Sequence, residues 1–238
     1  MYRNAIEITL ARSPAEKGTS MKSQPLQNTI SRTFLGSVLG VWFVLALVYS
    51  ILGGFRGDPS QPPLALGLGV LSPVLLFLAA WYGSARVRHF VASLDLQTIT
   101  FLQIGRIFGG AFLIQYLLGG LPGVFALPAG WGDVAIALTA PLVAWMLVAK
   151  TPSRLSILLV WTVLGTLDLI VAVSLGILTS QSTLGVLAGA MNSAAVVVFP
   201  LSLIPTFLVP FYLILHLITL ARVRGHLAYP QQSLMKQK

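Results

Sequence analysis

Apolar and polar positions occur in long blocks along the chain, with apolar runs separated by shorter polar connections. A helix of about 20 apolar residues is long enough to cross a hydrocarbon core about 30 Å thick. Blocks of this length predict six transmembrane helices. These blocks are Phe34–Leu52, Leu64–Gly83, Thr98–Leu118, Gly130–Val148, Leu155–Leu178 and Pro200–Leu220. The pattern therefore predicts an all-α fold, a polytopic transmembrane helical bundle with six spans.

Composition supports a membrane protein independently of the block pattern. Hydrophobic residues make up 56% of the chain and charged residues only 9%, and the mean hydropathy is +0.86. A chain of 238 residues with this balance cannot hide its apolar side chains in one water-soluble core. We therefore expect the lipid bilayer to be its solvent and partner. The absence of cysteine excludes disulfides, thiolate metal sites and a cysteine nucleophile.

The basic residues lie almost entirely on one side of the predicted bundle. Thirteen of the 15 Lys and Arg residues fall in the two tails and in the connections 84–97 and 149–154. Arg56 lies on the other side, and Arg106 lies inside a span. Because cytoplasmic loops carry an excess of Lys and Arg, both termini are predicted to be cytoplasmic. This distribution argues against nucleic-acid binding and predicts a multi-pass protein of the cell inner membrane.

The polar ends define the predicted domain limits. Residues 1–33 predict a disordered cytoplasmic tail without a cleaved secretory signal, residues 34–221 the membrane domain, and residues 222–238 a short basic tail. Met21 is an alternative start, which would remove the preceding 20 residues. The apolar run Leu184–Ala221 is too long for one span, so we expect 184–198 to lie in the outer interface or to form a re-entrant segment. The depth of Asn192 then stays open.

Arg106 is the most informative residue inside a predicted span. It lies eight residues past the cytoplasmic end of the third span, or about 12 Å deep, where an unpaired guanidinium costs a few kcal/mol. Gln103 shares its helix face. A polar face of this kind is typical of a helix that lines a cavity, and snorkelling of Arg106 to the cytoplasmic surface is the alternative.

Asp168 is the predicted partner of Arg106. It lies 13 residues into the fifth span, about 20 Å from the cytoplasmic side, where a carboxylate needs a proton, hydration or a partner. No Lys or Arg lies within one turn on its own helix, and Arg106 is the basic residue placed inside a span. Direct pairing and pairing through water both fit these depths.

Asp133 lies at the outer end of the predicted fourth span, after the uncharged segment Gly119–Gly132. A carboxylate at that position commonly caps a helix N-terminus. Alternatively, the segment folds back into the membrane, where its backbone groups need polar partners. The predicted axial distance from Arg106 is about 13 Å, so we expect no direct contact and only a connection through a water-filled cleft.

The remaining motifs offer little enzyme chemistry. The three histidines, His89, His216 and His226, do not share a helix at the spacing of metal ligands, so we expect no metal and no cofactor. Zinc-protease, serine-hydrolase and phosphate-loop signatures are absent from the sequence. The pattern therefore leans away from an enzyme.

One set of motifs resembles a known family. Pro122 with the stretch 125–133, Asp168 after Trp161, and the proline-rich stretch 199–210 followed by His216 resemble a bacterial family of multi-pass membrane proteins without an assigned activity. The similarity covers roughly 98–224 and implies no particular reaction or substrate.

Three functions remain open from the sequence. The first is a small solute or proton-linked transporter whose ligand or ion pathway uses Arg106, Asp168, Gln103, Asp133 and Asn192. The second is an accessory or structural subunit, in a homo-oligomer or a larger membrane complex, with the buried ion pair fixing helix register. The third is a membrane-embedded enzyme that acts on lipid or quinone.

Overall fold

The computed structural model describes residues 23–149 and 151–228, which form helices and connections without a strand. The α-helices are α1 (Ser23–Ile51), α2 (Leu64–Gly83), α3 (Ala85–Ser93), α4 (Leu96–Phe101), α5 (Gly110–Leu117), α6 (Gly123–Met146), α7 (Pro152–Leu178) and α8 (Val209–Ala228). A 3₁₀ helix, Leu102–Gly109, joins α4 to α5, a second 3₁₀ turn covers Ala194–Val197, and a π-helical segment, Ile204–Leu208, leads into α8.

Five helical stretches are long and apolar enough to cross a membrane. They are Leu64–Gly83, Leu96–Leu117, Gly123–Met146, Pro152–Leu178 and Ile204–Arg224. The apolar part of α1, Leu35–Ile51, is shorter than these. The described chain is therefore a helical protein suited to a membrane, with five helices of crossing length where the sequence predicted six.

By contacts, the chain divides into residues 1–40 and residues 41–238. Within the second unit, the end of α1 packs on the segment that precedes α8. The rings of Trp42 and Phe43 lie 4.7 and 5.0 Å from the ring of Phe207. The hydroxyls of Ser50 and Ser202 hydrogen-bond to each other. Residues 41–51 are thus part of the same packed body as the later helices.

Capping side chains set several helix boundaries. Ser84 accepts a hydrogen bond from the amide of Val87 at 3.4 Å, and Asp95 accepts one from the amide of Thr98 at 2.9 Å. Each cap satisfies an amide that the first turn leaves free. The predicted connection 84–97 is consequently not one loop, since it contains α3 and the start of α4.

The prediction of a loop over Gly119–Gly132 is wrong for most of its length. Helix α6 begins at Gly123, directly after Pro122, and continues through Pro128. A proline inside a helix removes one backbone hydrogen bond, but helix formation still satisfies the other backbone groups that a loop would leave bare in lipid. The helix therefore starts seven residues earlier than the predicted span.

The polar ends are also more helical than predicted. Within the described residues, helix α1 already includes Ser23 and α8 includes Ala228, so both helices extend into the stretches predicted as tails. Residues 1–22 and 229–238, including the alternative start at Met21, lie outside the described residues.

Helix α6 is the centre of the packing. It contacts α5, α7 and the 3₁₀ helix, and its alanines at the contacts are fully buried. These alanines are Ala126, Ala129, Ala137 and Ala140. Small side chains allow backbones to approach closely, which matters in lipid because water does not drive helices together. Large apolar side chains such as Leu117 and Trp145 are exposed on the outside, as a bilayer-facing surface requires.

The apolar stretch after α7 folds back onto the end of that helix. The amide of Leu187 donates to the carbonyl of Leu178 at 2.8 Å, and the amide of Ser193 donates to Thr179 at 2.9 Å. The hydroxyl of Ser193 donates to the carbonyl of Gly176 at 2.7 Å. Because these bonds hold the stretch at the C-terminal end of α7, it does not form a further long helix.

Candidate functional site

The 3₁₀ helix Leu102–Gly109 presents a polar line to the interior. With three residues per turn, side chains three apart lie directly above one another, and Gln103, Arg106 and Gly109 have that spacing. All three are buried. The other faces carry exposed apolar side chains, among them Ile104, Ile107 and Phe108. Eight residues is long for a 3₁₀ helix, and a 3₁₀ stretch within a helix often marks a functional hinge or a strained sequence.

Arg106 is fully buried and uses all three of its guanidinium nitrogens. Nε donates to Oδ1 of Asp133 at 2.7 Å, and Nη2 donates to Oδ2 of Asp168. Nη1 donates to the carbonyl oxygen of Gly165 at 3.0 Å and lies 3.2 Å from Nε2 of His216. One guanidinium from the 3₁₀ helix thus joins α6, α7 and α8. We call Arg106, Asp133, Asp168 and His216 the Arg106 cluster.

Two glycines give the carboxylates their space. A Cβ at Gly109 would overlap the carboxylate of Asp133, and a Cβ at Gly132 would overlap that of Asp168. Both carboxylates therefore lie against bare backbone. The exposed fractions of the two side chains still differ, at 7% for Asp133 and 17% for Asp168. Asp168 is consequently the more accessible carboxylate of the cluster.

The charges of the Arg106 cluster do not cancel when both carboxylates are ionised. One guanidinium faces two carboxylates, which leaves one negative charge in excess. His216 cannot supply the balance while Arg106 donates to it, because a guanidinium has no acceptor and Nε2 must then carry a free lone pair. One added proton or one bound cation would neutralise the cluster, which favours either event in a low-dielectric interior.

A small void lies beside the ion pairs. It measures about 10 Å³ and is bounded by Arg106, Gly109, Asp133 and Tyr212 together with apolar side chains. This volume is close to the lower limit for one water molecule. The Oε1 atom of Gln103, one 3₁₀ turn from Arg106, is buried and has no hydrogen-bond partner among the described residues. The cluster is therefore packed tightly, and Gln103 retains a free acceptor.

The structure brings together three of the predicted site residues. Arg106 and Asp168 form a direct ion pair, as one of the two predicted arrangements required. The prediction that Asp133 lies too far from Arg106 is wrong. Because α6 begins at Gly123, Asp133 lies about 15 Å inside that helix instead of capping its end. Arg106 and Asp133, which were predicted to lie at different depths along the bundle axis, lie at the same depth in the structure.

Asn192 is not part of the Arg106 cluster. Its amide oxygen accepts a hydrogen bond from the amide of Ala194 at 3.0 Å, which is a local turn. Its neighbour Ser193 is bonded to Gly176, eight residues or about 12 Å along α7 from Asp168. A role for Asn192 in a pathway therefore stays a prediction.

His216 and Tyr212 lie at the site although neither was predicted from the sequence to belong to it. The predicted span ended at Leu220, only four residues after His216, whereas α8 continues to Ala228. His216 is 1% exposed and contacts Arg106. The sequence feature that could have identified His216 is a titratable side chain within an apolar block. Tyr212 lies one helical turn earlier, and its hydroxyl lies against Gly105.

A family model matches residues 63–224, which is most of the chain. Its description is "Domain of unknown function (DUF8737)". The chain belongs to the DUF8737 family. This agrees with a resemblance to a family without an assigned activity, although the match begins well before Thr98. Neither the search of curated proteins nor the search of solved structures gave a match.

The DUF8737 domain contains the whole Arg106 cluster and most of a second, larger cavity of about 220 Å³. This cavity lies between the start of α2, the start of α6 and the end of α7, with walls that include Val70, Phe125 and Ala172. Val209 lines both this cavity and the small void beside Arg106. Across the described ranges, no group of three His, Cys, Asp or Glu residues is placed to hold a metal ion.

Proposed function

We propose that this member of the DUF8737 family is a small proton-linked solute carrier in the inner membrane of a bacterial-type cell. Arg106, Asp133 and Asp168 form its central site, and Gln103 supplies a free acceptor one 3₁₀ turn away. In the proposed cycle, this site releases one proton when the carrier binds one solute charge. Asp168 is the carboxylate that gains and loses the proton.

The observation that carries this proposal is the excess negative charge of the buried Arg106 cluster. Charged groups within membrane helices are costly and commonly belong to ion or proton pathways. A cluster with one guanidinium and two carboxylates is neutral after it gains one proton, and it is charged after it loses that proton. Asp168 is the more exposed carboxylate, which suits a group that exchanges protons.

The proposed topology has six spans and both termini in the cytoplasm. It takes α1 as the first span together with the five helices of crossing length. Because the sequence has no cysteine, a single introduced cysteine is a unique label site. In intact cells, a membrane-impermeant maleimide should label Gln61→Cys, and it should label Ser93→Cys only after the membrane is opened. The opposite pattern would reverse the proposed orientation.

Infrared difference spectroscopy of the reconstituted protein tests the proton site. Between acidic and neutral pH, the wild-type protein should show the band of a protonated carboxyl group in a dry environment. Asp168→Asn should remove this band, because the amide has nearly the same shape but cannot titrate. Ser174→Ala is the matched control on α7, since the hydroxyl of Ser174 is exposed and donates to the local carbonyl of Ile170 at 2.8 Å.

Proton-linked transport has its own measurement. Inside-out vesicles that hold a pH gradient should release it when a transported solute is added, and Asp168→Asn should abolish the release while Ser174→Ala retains it. A wild-type protein without a titrating buried carboxyl group would contradict the proton-linked mechanism.

A structural subunit is the second candidate function. It is favoured by the complete use of the guanidinium nitrogens of Arg106, since a fully bonded buried ion pair can fix helix register without any transport role. Such a subunit would act in a homo-oligomer or a larger membrane complex. Because Arg106 bonds to both carboxylates, replacing only Arg106 and Asp168 would leave Asp133 unpaired. The neutral test protein therefore needs Arg106→Met, Asp133→Asn and Asp168→Asn together.

This triple variant separates the two candidates. A structural subunit should keep its assembly and its cellular effect when all charges of the cluster are removed at once, provided that the variant folds. A carrier should lose transport even though the variant is still purified as a folded, monodisperse protein.

A further inference from the structure

The large cavity is a site separate from the Arg106 cluster. Its volume of about 220 Å³ exceeds the roughly 150 Å³ of an engineered apolar cavity that binds benzene. One end is formed by exposed residues of the connections 57–61 and 180–182, so the cavity reaches the surface there. At the other end lies Val209, which also lines the small void beside Arg106. The space can therefore hold a molecule somewhat larger than benzene that enters from this end of the bundle.

The walls of the large cavity are apolar and partly aromatic. Three phenylalanines, Phe55, Phe112 and Phe125, lie among aliphatic side chains such as Val70 and Val196. The polar lining is confined to serine and glutamine side chains and one carboxylate near the surface. Aromatic faces attract cations, and apolar walls favour a ligand with an apolar body.

The charge that lines the cavity is negative, which favours a cationic ligand. Among the described residues that line it, Asp58 is the only one with a charge, and none is Lys, Arg or His. The backbone amide and the hydroxyl of Ser60 donate to Oδ1 of Asp58 at 2.8 and 2.7 Å. These hydrogen bonds lower the pKa of Asp58, so its carboxylate is ionised at neutral pH.

The inner end of the cavity also lies near a negative charge, which belongs to the Arg106 cluster. Val209 lines both this end and the void that touches Arg106 and Asp133. On the far side of Val209, the cluster has one negative charge in excess whenever it is deprotonated. A cation in the cavity is therefore favoured from both ends, and it is favoured most when the cluster has released its proton.

We propose that the large cavity binds a small organic cation with an apolar body, of the aryl quaternary ammonium type, as the solute of the carrier. This inference rests on the proposed proton-linked function, because it names the class of solute that exchanges with the proton. The apolar body lies among the phenylalanines, and the cationic group lies toward Asp58.

Binding is tested with benzyltrimethylammonium and the full-length protein in lipid nanodiscs, by calorimetric titration. Its uncharged carbon analogue, neopentylbenzene, has the same shape. We expect the cation to bind with measurable affinity and the neutral analogue to bind at least about tenfold more weakly. Only the cation is attracted to the negative charges and to the faces of the aromatic rings. Equal binding of both compounds would overturn the proposal and identify a general apolar void.

Gly67→Leu tests whether the cation lies in this cavity. Gly67 lines the cavity, and a Cβ at this position meets no atom within 4 Å, so a leucine fills open space. We expect loss of cation binding without loss of folding. Gly83→Leu is the matched control at the other end of α2, where a Cβ also meets open space. Unchanged binding in Gly67→Leu would overturn the assignment of the site.

Asp58→Asn tests the electrostatic part. An exposed ion pair contributes little, so the affinity for the cation should fall by only about 1.5- to fivefold, and the loss should shrink at high salt. Binding of neopentylbenzene should not change. Cation binding that is equally strong at every salt concentration and in Asp58→Asn would exclude a role for the carboxylate and contradict the proposed orientation.

The two proposals can fail separately. Absence of cation binding together with a titrating Asp168 carboxyl band would reject the solute class and leave the proton-linked carrier standing. Cation binding that Gly67→Leu abolishes, in a protein without that band, would reject proton coupling and leave the binding site standing.

Discussion

The Arg106 cluster and the large cavity lie next to each other but differ in the volume of empty space that they contain. The cluster is polar and encloses only about 10 Å³, whereas the cavity is apolar and encloses about 220 Å³. Buried charges need partners within hydrogen-bonding distance, so helices must close around them. Apolar walls have no bonds to satisfy, and a void between them can persist. The same bundle therefore contains a tightly packed ion-pair cluster and an open apolar cavity.

The glycines of the two regions show the same contrast. At the cluster, the absence of a side chain at Gly109 and Gly132 makes room for a carboxylate that lies against the backbone. At the cavity, Gly67 faces open space. Glycine is thus required by close packing in one region and leaves a volume unfilled in the other.

The largest expected effect comes from removing the centre of the cluster. Arg106→Met should lower the free energy of unfolding by about 3–5 kcal/mol, because two buried carboxylates lose their partner. Thermal unfolding in detergent measures the change. The control is Arg56→Met in an exposed connection, for which we expect no more than about 0.5 kcal/mol. Similar effects of the two replacements would contradict the tight pairing of Arg106.

The next effect concerns the space beside Asp168. Gly132→Ala should cost about 1–3 kcal/mol, because the added methyl group overlaps the carboxylate and forces the ion pair apart. Urea or thermal unfolding detects this loss. Gly110→Ala is the matched control nearby, since its Cβ would only reach an ordinary contact with Val134 at 3.5 Å. An unchanged free energy of unfolding in Gly132→Ala would show that the carboxylate of Asp168 can move aside without loss of stability.

The wall between the two regions can be thinned at Val209. Val209→Ala should cost about 1–2 kcal/mol through lost apolar burial, and it should join the small void to the large cavity. The carboxyl infrared band of Asp168 should then exchange faster in deuterated water. If the exchange rate stays at the wild-type value, Val209 is not the barrier between the two spaces.

The smallest effect is a gain in stability at the cavity. Gly67→Ala should raise the free energy of unfolding by about 0.5–1 kcal/mol, because alanine favours the helical conformation and its methyl group meets no atom. The change in the free energy of unfolding should therefore have opposite signs in Gly67→Ala, at the cavity, and Gly132→Ala, at the Arg106 cluster. A loss of stability at Gly67 would mean that the position is more crowded than its surroundings indicate.

Much of the fold and part of the site could be predicted from local pattern. The bounds Leu64–Gly83 of the second predicted span agree with those of α2, since a continuous apolar block of this length is helical in a membrane. Arg106 was identified as the partner of Asp168 because a buried charge needs its opposite, and few charges lie in apolar blocks.

The missed contacts follow from helix start points and helix type. Starting α6 at Gly123 instead of Gly130 shifts Asp133 by seven residues, which is about 10 Å along the axis. That shift alone brings Asp133 level with Arg106. The 3₁₀ geometry of 102–109, which lines up Gln103, Arg106 and Gly109, is likewise invisible in an apolar pattern that fits an α-helix equally well.

The sequence by itself determined that this protein is helical and suited to a membrane, and that Arg106 and Asp168 need each other, because apolar block length and buried charge are local properties. Only the tertiary structure decided that Asp133 and His216 join them and that a 220 Å³ cavity lies next to the cluster. The depth of a side chain and the space between helices depend on how several helices are aligned, and no single stretch of sequence contains that alignment.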